Sequence, residues 1–124
     1  MPHTQFGALV RHRGGVGIVD LAGDIDLEAE TGLSAAYAQA TADDPKAVLL
    51  NFAGVGYVNS TGIALIVGLL ARARAEGRRV SVYGLSNHYR EIFQITRLSD
   101  FMAVYADEDS AIGGVETASQ RGSR

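Results

Sequence analysis

The chain reads as a small α/β domain built on a mixed sheet. Three observations carry this. Two strand-like segments separated by glycines open the chain, an apolar run without alternation stands near its centre, and helical and strand periods alternate from there onward. At 124 residues, 47% apolar and 20% charged, it suits one domain that buries about two-thirds of its unfolded surface. With only two prolines, no Gly/Ser linker and no internal repeat, the reading is one domain over residues 1–115. Residues 116–124 are small and polar, have nothing to bury, and are expected to form a disordered tail.

Phe6 to Arg11 and Val16 to Leu21 have strand character, and Arg13-Gly14-Gly15 between them is hairpin chemistry, so an opening antiparallel pair is predicted. Asp26 then caps a helix predicted to run to about Ala42, with Leu27, Leu33, Ala36, Tyr37 and Ala40 on one face and Pro45 ending it. Ala47 to Phe52 is a continuous apolar run, the pattern of a strand buried on both faces. From Ser60 to Ala75 apolar residues surround most of a helix, which predicts an interior position. Its small residues Ala64, Gly68, Ala71 and Ala75 form a stripe for close approach to a neighbour. Val80 to Tyr83 alternates as a strand. Ser86 or Asn87 caps a third helix with Tyr89, Ile92, Phe93 and Ile95 inward, a strand follows at Ala103 to Tyr105, and Asp107-Glu108-Asp109 starts a last helix. The later strands, alternating with about four helices, are predicted to be largely parallel.

Eleven Lys and Arg against fourteen Asp and Glu leave a net charge of −3, the wrong sign for attraction to nucleic acid or anionic lipid. The absence of Cys excludes disulfides, thiolate metal sites and thiol nucleophiles. Met1-Pro2-His3-Thr4 opens no secretory signal, and the longest apolar stretch, Ile63 to Ala71, falls far short of the ~20 residues that span a bilayer. The chain is therefore read as cytoplasmic.

Three histidines, His3, His12 and His88, are the available imidazoles, and Ser60 lacks the G-x-S-x-G setting of a nucleophile, so no hydrolase is predicted. Gly54-Val55-Gly56 lacks the third glycine of a dinucleotide loop and reads as a tight connection between strand and helix. Asp24, Asp26, Glu28 and Glu30 alternate, but without the glycine of a calcium loop they read as an acidic helix start; no metal and no cofactor are predicted. Val58-Asn59-Ser60-Thr61-Gly62 stands at the entrance of the second helix. A single cap would suffice there and a first-turn glycine costs helix stability, so both a plain cap and a hydroxyl open to modification stay in view.

Those residues carry a resemblance. Val48 to Phe101, with Leu21-Ala22-Gly23-Asp24-Ile25-Asp26 before it, resembles the STAS domain of bacterial anti-sigma-factor antagonists over about residues 6 to 112. The first segment is similar to the family's L-x-G-E-L-D, and Asn59-Ser60-Thr61-Gly62 to its Asp-Ser-Ser/Thr-Gly. Gly77, Ile92-Phe93, Ile95-Thr96 and Leu98 recur in the family's order. The resemblance implies a non-enzymatic antagonist that, unphosphorylated, binds an anti-sigma factor which is also a serine kinase of the histidine-kinase-like ATPase type. Phosphorylation at Ser60, with Thr61 as second candidate, releases it, and a metal-dependent serine phosphatase restores it. On this reading Asp24, Asp26, Asn59, Ser60, Thr61 and Gly62 form the partner-binding face. The family's usual Asp before the serine is Asn59 here, so a charge is missing beside the hydroxyl. A STAS scaffold or small-ligand sensor subunit of a larger signalling assembly is the alternative.

Overall fold

Gly14 and Gly15, both at positive φ (57° and 79°), reverse the chain between β1 (Gly7–Arg13) and β2 (Val16–Ile25). A two-residue turn of this hand matches the twist of paired strands, and glycine adopts it without a Cβ clash. The computed structural model describes residues 3–122. After β2 a 3-10 turn, Leu27–Ala29, leads into α1 (Glu30–Ala40). Then come β3 (Ala47–Val58), α2 (Ser60–Ala75), β4 (Arg79–Tyr83), α3 (Asn87–Ile95), a second 3-10 turn at Leu98–Asp100, β5 (Ala103–Tyr105) and α4 (Glu108–Gly122).

The strands form one sheet in the order β1-β2-β3-β4-β5. The first pair is antiparallel and the others are parallel, as the alternation predicts. Val19, Leu21, Val48, Leu50 and Val82 point to the face covered by α1, α2 and α3. Val16, Ile18, Ala47 and Leu49 point to the other, where Ala111 and Ile112 of α4 close over them. The central strand is thus buried on both faces, which is why its sequence runs apolar without alternation. Among the described residues no helix is long and apolar enough to cross a membrane.

Several elements differ from their local pattern. Gly54-Val55-Gly56 is not a connection but part of β3, which continues to Val58 because β2 runs beside it to Ile25; two register shifts absorb the extra residues. A Cβ at Gly54 would stand 2.8 Å from the carbonyl oxygen of Leu21, so the glycine permits this close pairing. Helix α2 is not interior. Ile66, Leu69, Leu70 and Ala73 are buried, whereas Val67 is 45% exposed and Ala64, Gly68, Ala71 and Ala75 lie on the outer face. The helix packs on the sheet and along α1, and its outer side is left to solvent. The small-residue stripe is exposed rather than packed closely on a neighbour, and a Cβ at Gly68 would find nothing within 4 Å.

Leu27 is exposed because it falls in the 3-10 turn, where the residue period differs from that of the helix after it. Helix α1 stops at Ala40, as the Thr41 hydroxyl donates back to the Tyr37 carbonyl at 2.8 Å. Tyr89 and Phe93 of α3 are buried, but Ile95 is exposed, lying two residues, or about 200°, around the helix from Phe93. Helix α4 is started by Asp107, whose carboxylate accepts from the Ser110 N–H at 2.8 Å, and its backbone stays helical to Gly122, past Val115 where a tail is predicted. Alanine, glutamate, glutamine and arginine in that stretch are good helix formers, which favours a helical backbone there. Ser123 and Arg124, the end of that predicted tail, lie outside the described residues.

Polar contacts tie α4 to β1 and β4, and through Arg11 and Asp20 the network reaches β2 and β3. The Arg11 guanidinium donates to Asp20 Oδ2 and to Glu108 Oε1, both at 2.6 Å, and Arg13 donates to Glu108 Oε2 at 2.8 Å. The Tyr83 hydroxyl donates to Glu108 Oε1 at 2.9 Å, and Asn51 Nδ2 donates to Asp20 Oδ1 at 2.8 Å. Arg11, then Arg13, holds the Glu108 carboxyl down to about 2, and Arg11 lowers that of Asp20. Burial, with Glu108 beside it, pushes the Tyr83 phenol up to about 12.

An unfolded Glu titrates near ~4.3, so the Glu108 contribution is complete above that pH and is lost as pH falls toward the folded value. Glu108→Gln is expected to be less stable than the parent at neutral pH, with the gap closing as pH is lowered from ~5 to ~2.5. Urea unfolding across that range measures it, and a gap that does not change with pH would count against the network.

Candidate functional site

Because β2 and β3 are parallel neighbours, their C-terminal ends lie side by side, Asp24 against Tyr57 and Ile25 against Val58. Asn59 follows directly, in extended conformation, and its backbone N–H donates to the Ile25 carbonyl at 3.2 Å. Its side-chain oxygen accepts from the Gly62 N–H at 2.8 Å, and its carbonyl accepts from Ile63 N at 2.9 Å. Asn59 is therefore the cap of α2, and the structure separates it from the two hydroxyls that follow.

Ser60 and Thr61 are exposed, and neither hydroxyl makes a hydrogen bond among the described residues. Their backbone N–H groups are the remaining orphans of the first turn, once Ile25 has satisfied Asn59 and Asn59 has satisfied Gly62. An oxyanion attached at Ser60 would meet these donors at the positive end of a long helix. Gly62 is buried. A Cβ there would collide with the Ile25 carbonyl oxygen and stand 2.9 Å from Val58 Cγ1, which accounts for a glycine where helix propensity disfavours one.

Asp24 and Asp26 lie at the same end of the sheet, one strand away, but their carboxylates are engaged by the N-terminal arm and by a turn. Asp24 Oδ2 accepts from Thr4 N at 3.0 Å and lies 3.3 Å from His3 Nδ1. Asp26 Oδ1 caps the 3-10 turn through Glu28 N at 3.0 Å, and its other oxygen is 3.5 Å from His3 Nδ1. Glu28 meets His3 Nε2 at 3.3 Å. The structure thus brings Asn59, Ser60, Thr61 and Gly62 into one turn, and sets Asp24 and Asp26 beside it with His3 over them. His12 and His88 lie elsewhere, on β1 and α3.

Two contributors escape sequence reasoning. The hydroxyl of Tyr89, a buried residue of α3, accepts from Val58 N at 2.8 Å and so pins the end of β3 just before the cap. The apolar spacing of α3 places Tyr89 inward but names no partner for its oxygen. His3 likewise sits in a segment with no pattern, and its contact with Asp24 follows from the pairing of Thr4 and Asp24 backbones.

Asn59→Ala is expected to lower unfolding free energy by about 1 kcal/mol, while Asn59→Asp, which keeps the cap acceptor, stays within a few tenths. Gly62→Ala is expected to cost more, about 2–4 kcal/mol, because the backbone of Ile25 cannot move aside cheaply. Denaturant midpoints of the three variants test this ordering; an unaffected Gly62→Ala would mean that α2 does not abut β2.

A family model described as "Mlab, STAS domain" matches residues 8–104. The anti-sigma-B factor antagonist of Staphylococcus aureus is 28% identical over 86 residues, which cover 69% of this chain and 80% of that protein. An anti-sigma factor antagonist from Mycobacterium paratuberculosis shares the fold at a TM-score of 0.78 and 23% identity, over 90% of this chain and 95% of that one. The Bacillus cell fate determinant SpoIIAA in its phosphorylated form does so at a TM-score of 0.67 and 22% identity, over 88% and 99%. With the domain model spanning all but the two ends, and the fold repeated in these structures, the chain belongs to the STAS domain family.

Proposed function

We propose that this protein is an anti-sigma-factor antagonist that works by partner switching in the cytoplasm. Unphosphorylated, it binds an anti-sigma factor that is also a serine kinase of the histidine-kinase-like ATPase type. Phosphorylation of Ser60 releases it, and a metal-dependent serine phosphatase resets it. The protein is then a substrate and a docking surface, with no catalysis of its own. One observation carries this reading: Asn59 does the capping, so the exposed Ser60 hydroxyl is left without a structural task. The relatives named as anti-sigma factor antagonists, and a solved phosphorylated form of one structural neighbour, support it.

The physics suits a switch. A phosphate adds about −1.5 to −2 charges and a strong hydration demand to a surface that must shed water on docking. A penalty of ~3 kcal/mol weakens binding over a hundredfold without any refolding. Asn59 brings no carboxylate next to the new charge, and the carboxylates of Asp24 and Asp26 are already engaged by His3 and backbone N–H groups. Ser60 sits on a turn held by Ile25, Asn59 and Tyr89, so a kinase meets it in one geometry.

Incubation with ATP and the cognate kinase is expected to add one phosphate. Ser60→Ala blocks it and Thr61→Ala does not, read by mass spectrometry; the reverse pattern would move the site to Thr61. Ser60→Asp is expected to lose at least ~100-fold in affinity for the kinase by calorimetry. Binding of Ser60→Asp as tight as the parent's would end the switching model.

A further inference from the structure

The other end of α2 carries a second surface feature, about 21 Å along the helix from Ser60 at 1.5 Å per residue. Strand β5 pairs with β4 only from Ser81 onward, so the edge of β4 at Arg79 and Val80 has no strand beside it. Helix α2 overhangs this gap on one side, the Leu98–Met102 segment on another and Val115 of α4 on a third, leaving an open groove of about 930 Å³. That volume lies near the upper end of the ~300–1,000 Å³ typical of small-molecule sites.

The lining has a definite chemistry. Val67 and Phe101, 45% and 59% exposed, stand on opposite walls, with Leu70, Leu98 and Met102 deeper. Arg74 and Arg79 also line the groove, and neither has a carboxylate partner among the described residues. The other charged groups there are committed: Arg78 to Glu76 and Asp44, and Asp100 to Arg97 at 3.0 Å. Ser81 is 4% exposed and lines the groove, yet its hydroxyl makes no hydrogen bond among the described residues. Its oxygen is therefore not sealed but opens into the groove, where the head or chain of a small molecule can reach it.

We propose that this groove binds a small amphiphilic anion. Its aliphatic chain lies between Val67 and Phe101, and its carboxylate or phosphate head pairs with the guanidinium groups of Arg74 and Arg79. Arginine forks match either headgroup in two-pronged fashion, and an otherwise apolar wall strengthens that pairing. In a chain of net charge −3, two arginines without a carboxylate partner among the described residues, beside exposed apolar surface, select for this ligand class over neutral or cationic ones. The site does not depend on the Ser60 switch, which lies at the opposite end of the sheet.

The test titrates the ¹⁵N-labelled full chain with decanoate, monodecyl phosphate and decyltrimethylammonium, all below their micellar concentrations. At least one anion is expected to shift the amides of Ala71, Val80, Ser81 and Ala103, to leave those of Asp24 and Ser60 unmoved, and to bind at least tenfold tighter than the cation; the stronger of the two anions identifies the headgroup. The double variant Arg74→Glu with Arg79→Glu is expected to lose tenfold or more for that anion. Ala71→Trp, which fills the groove from the exposed face of α2, is expected to abolish binding. Both variants change exposed residues, and their own spectra report whether they fold. Three outcomes overturn the proposal: no shift from either anion, equal binding of the cation, or undiminished binding by both variants. Capture of an acidic amphipathic peptide at these amides while both anions fail would overturn it in favour of a protein partner. Kinase phosphorylation of the double variant at the parent rate keeps this result separate from the switching model.

Discussion

The first turn of α2 rests against the carbonyl of Ile25, and the positions of the candidate site residues follow from that contact. The carbonyl takes the Asn59 N–H at 3.2 Å, and no side chain fits at Gly62, so the helix start is fixed relative to the end of β2. Tyr89 holds the end of β3 from below through the Val58 N–H. With the cap, the strand end and the helix start so constrained, Ser60 and Thr61 are the residues left facing water. Their exposure is a consequence of backbone contacts, not of flexibility.

One helix then links two ends of the sheet with unlike surfaces. At its start the surface is polar, with the carboxylates of Asp24 and Asp26 beside the two hydroxyls, a setting in which an added phosphate would change docking through repulsion and hydration. At its far end the surface is apolar with two arginines that have no carboxylate partner among the described residues, a setting in which burial of a chain and pairing of a headgroup act together. Between them the buried side, Ile66, Leu69, Leu70 and Ala73, holds α2 to the core. The outer stripe of Ala64, Gly68 and Ala71 adds neither bulk nor charge along the way.

The opposite face of the sheet is closed differently. The apolar contact there is small, Ala111 and Ile112 over Val16, Ile18, Ala47 and Leu49, and the carboxylate of Glu108 supplements it by gathering Arg11, Arg13 and Tyr83. A charged group shared by three donors fixes the register of α4 on the strands more narrowly than two small apolar side chains can. The Tyr105 side chain reaches α4 at Gly114, where a Cβ would meet its hydroxyl.

Much of the fold was legible locally. Gly14-Gly15 specified the hairpin, the apolar run from Ala47 to Phe52 specified a strand buried on both faces, and the bounds of α2 followed from the polar turn at Asn59 and the arginines before Gly77. The Asn59–Gly62 turn was visible as a place where helix start and hydroxyls coincide. What could not be read was which of three adjacent capping residues would cap, that β3 would continue through its glycines, that the small stripe of α2 would face outward, and that Arg74, Arg79 and Ser81 would share one groove. The reason is one of range. Turn conformation, helical period and cap chemistry are set by residues within a few positions of one another, and the amino-acid sequence determined them alone. Which face is covered, and which polar group finds a partner, is set by atoms such as the Ile25 carbonyl and the Tyr89 hydroxyl, far apart in the chain, and only the packed tertiary structure decided those.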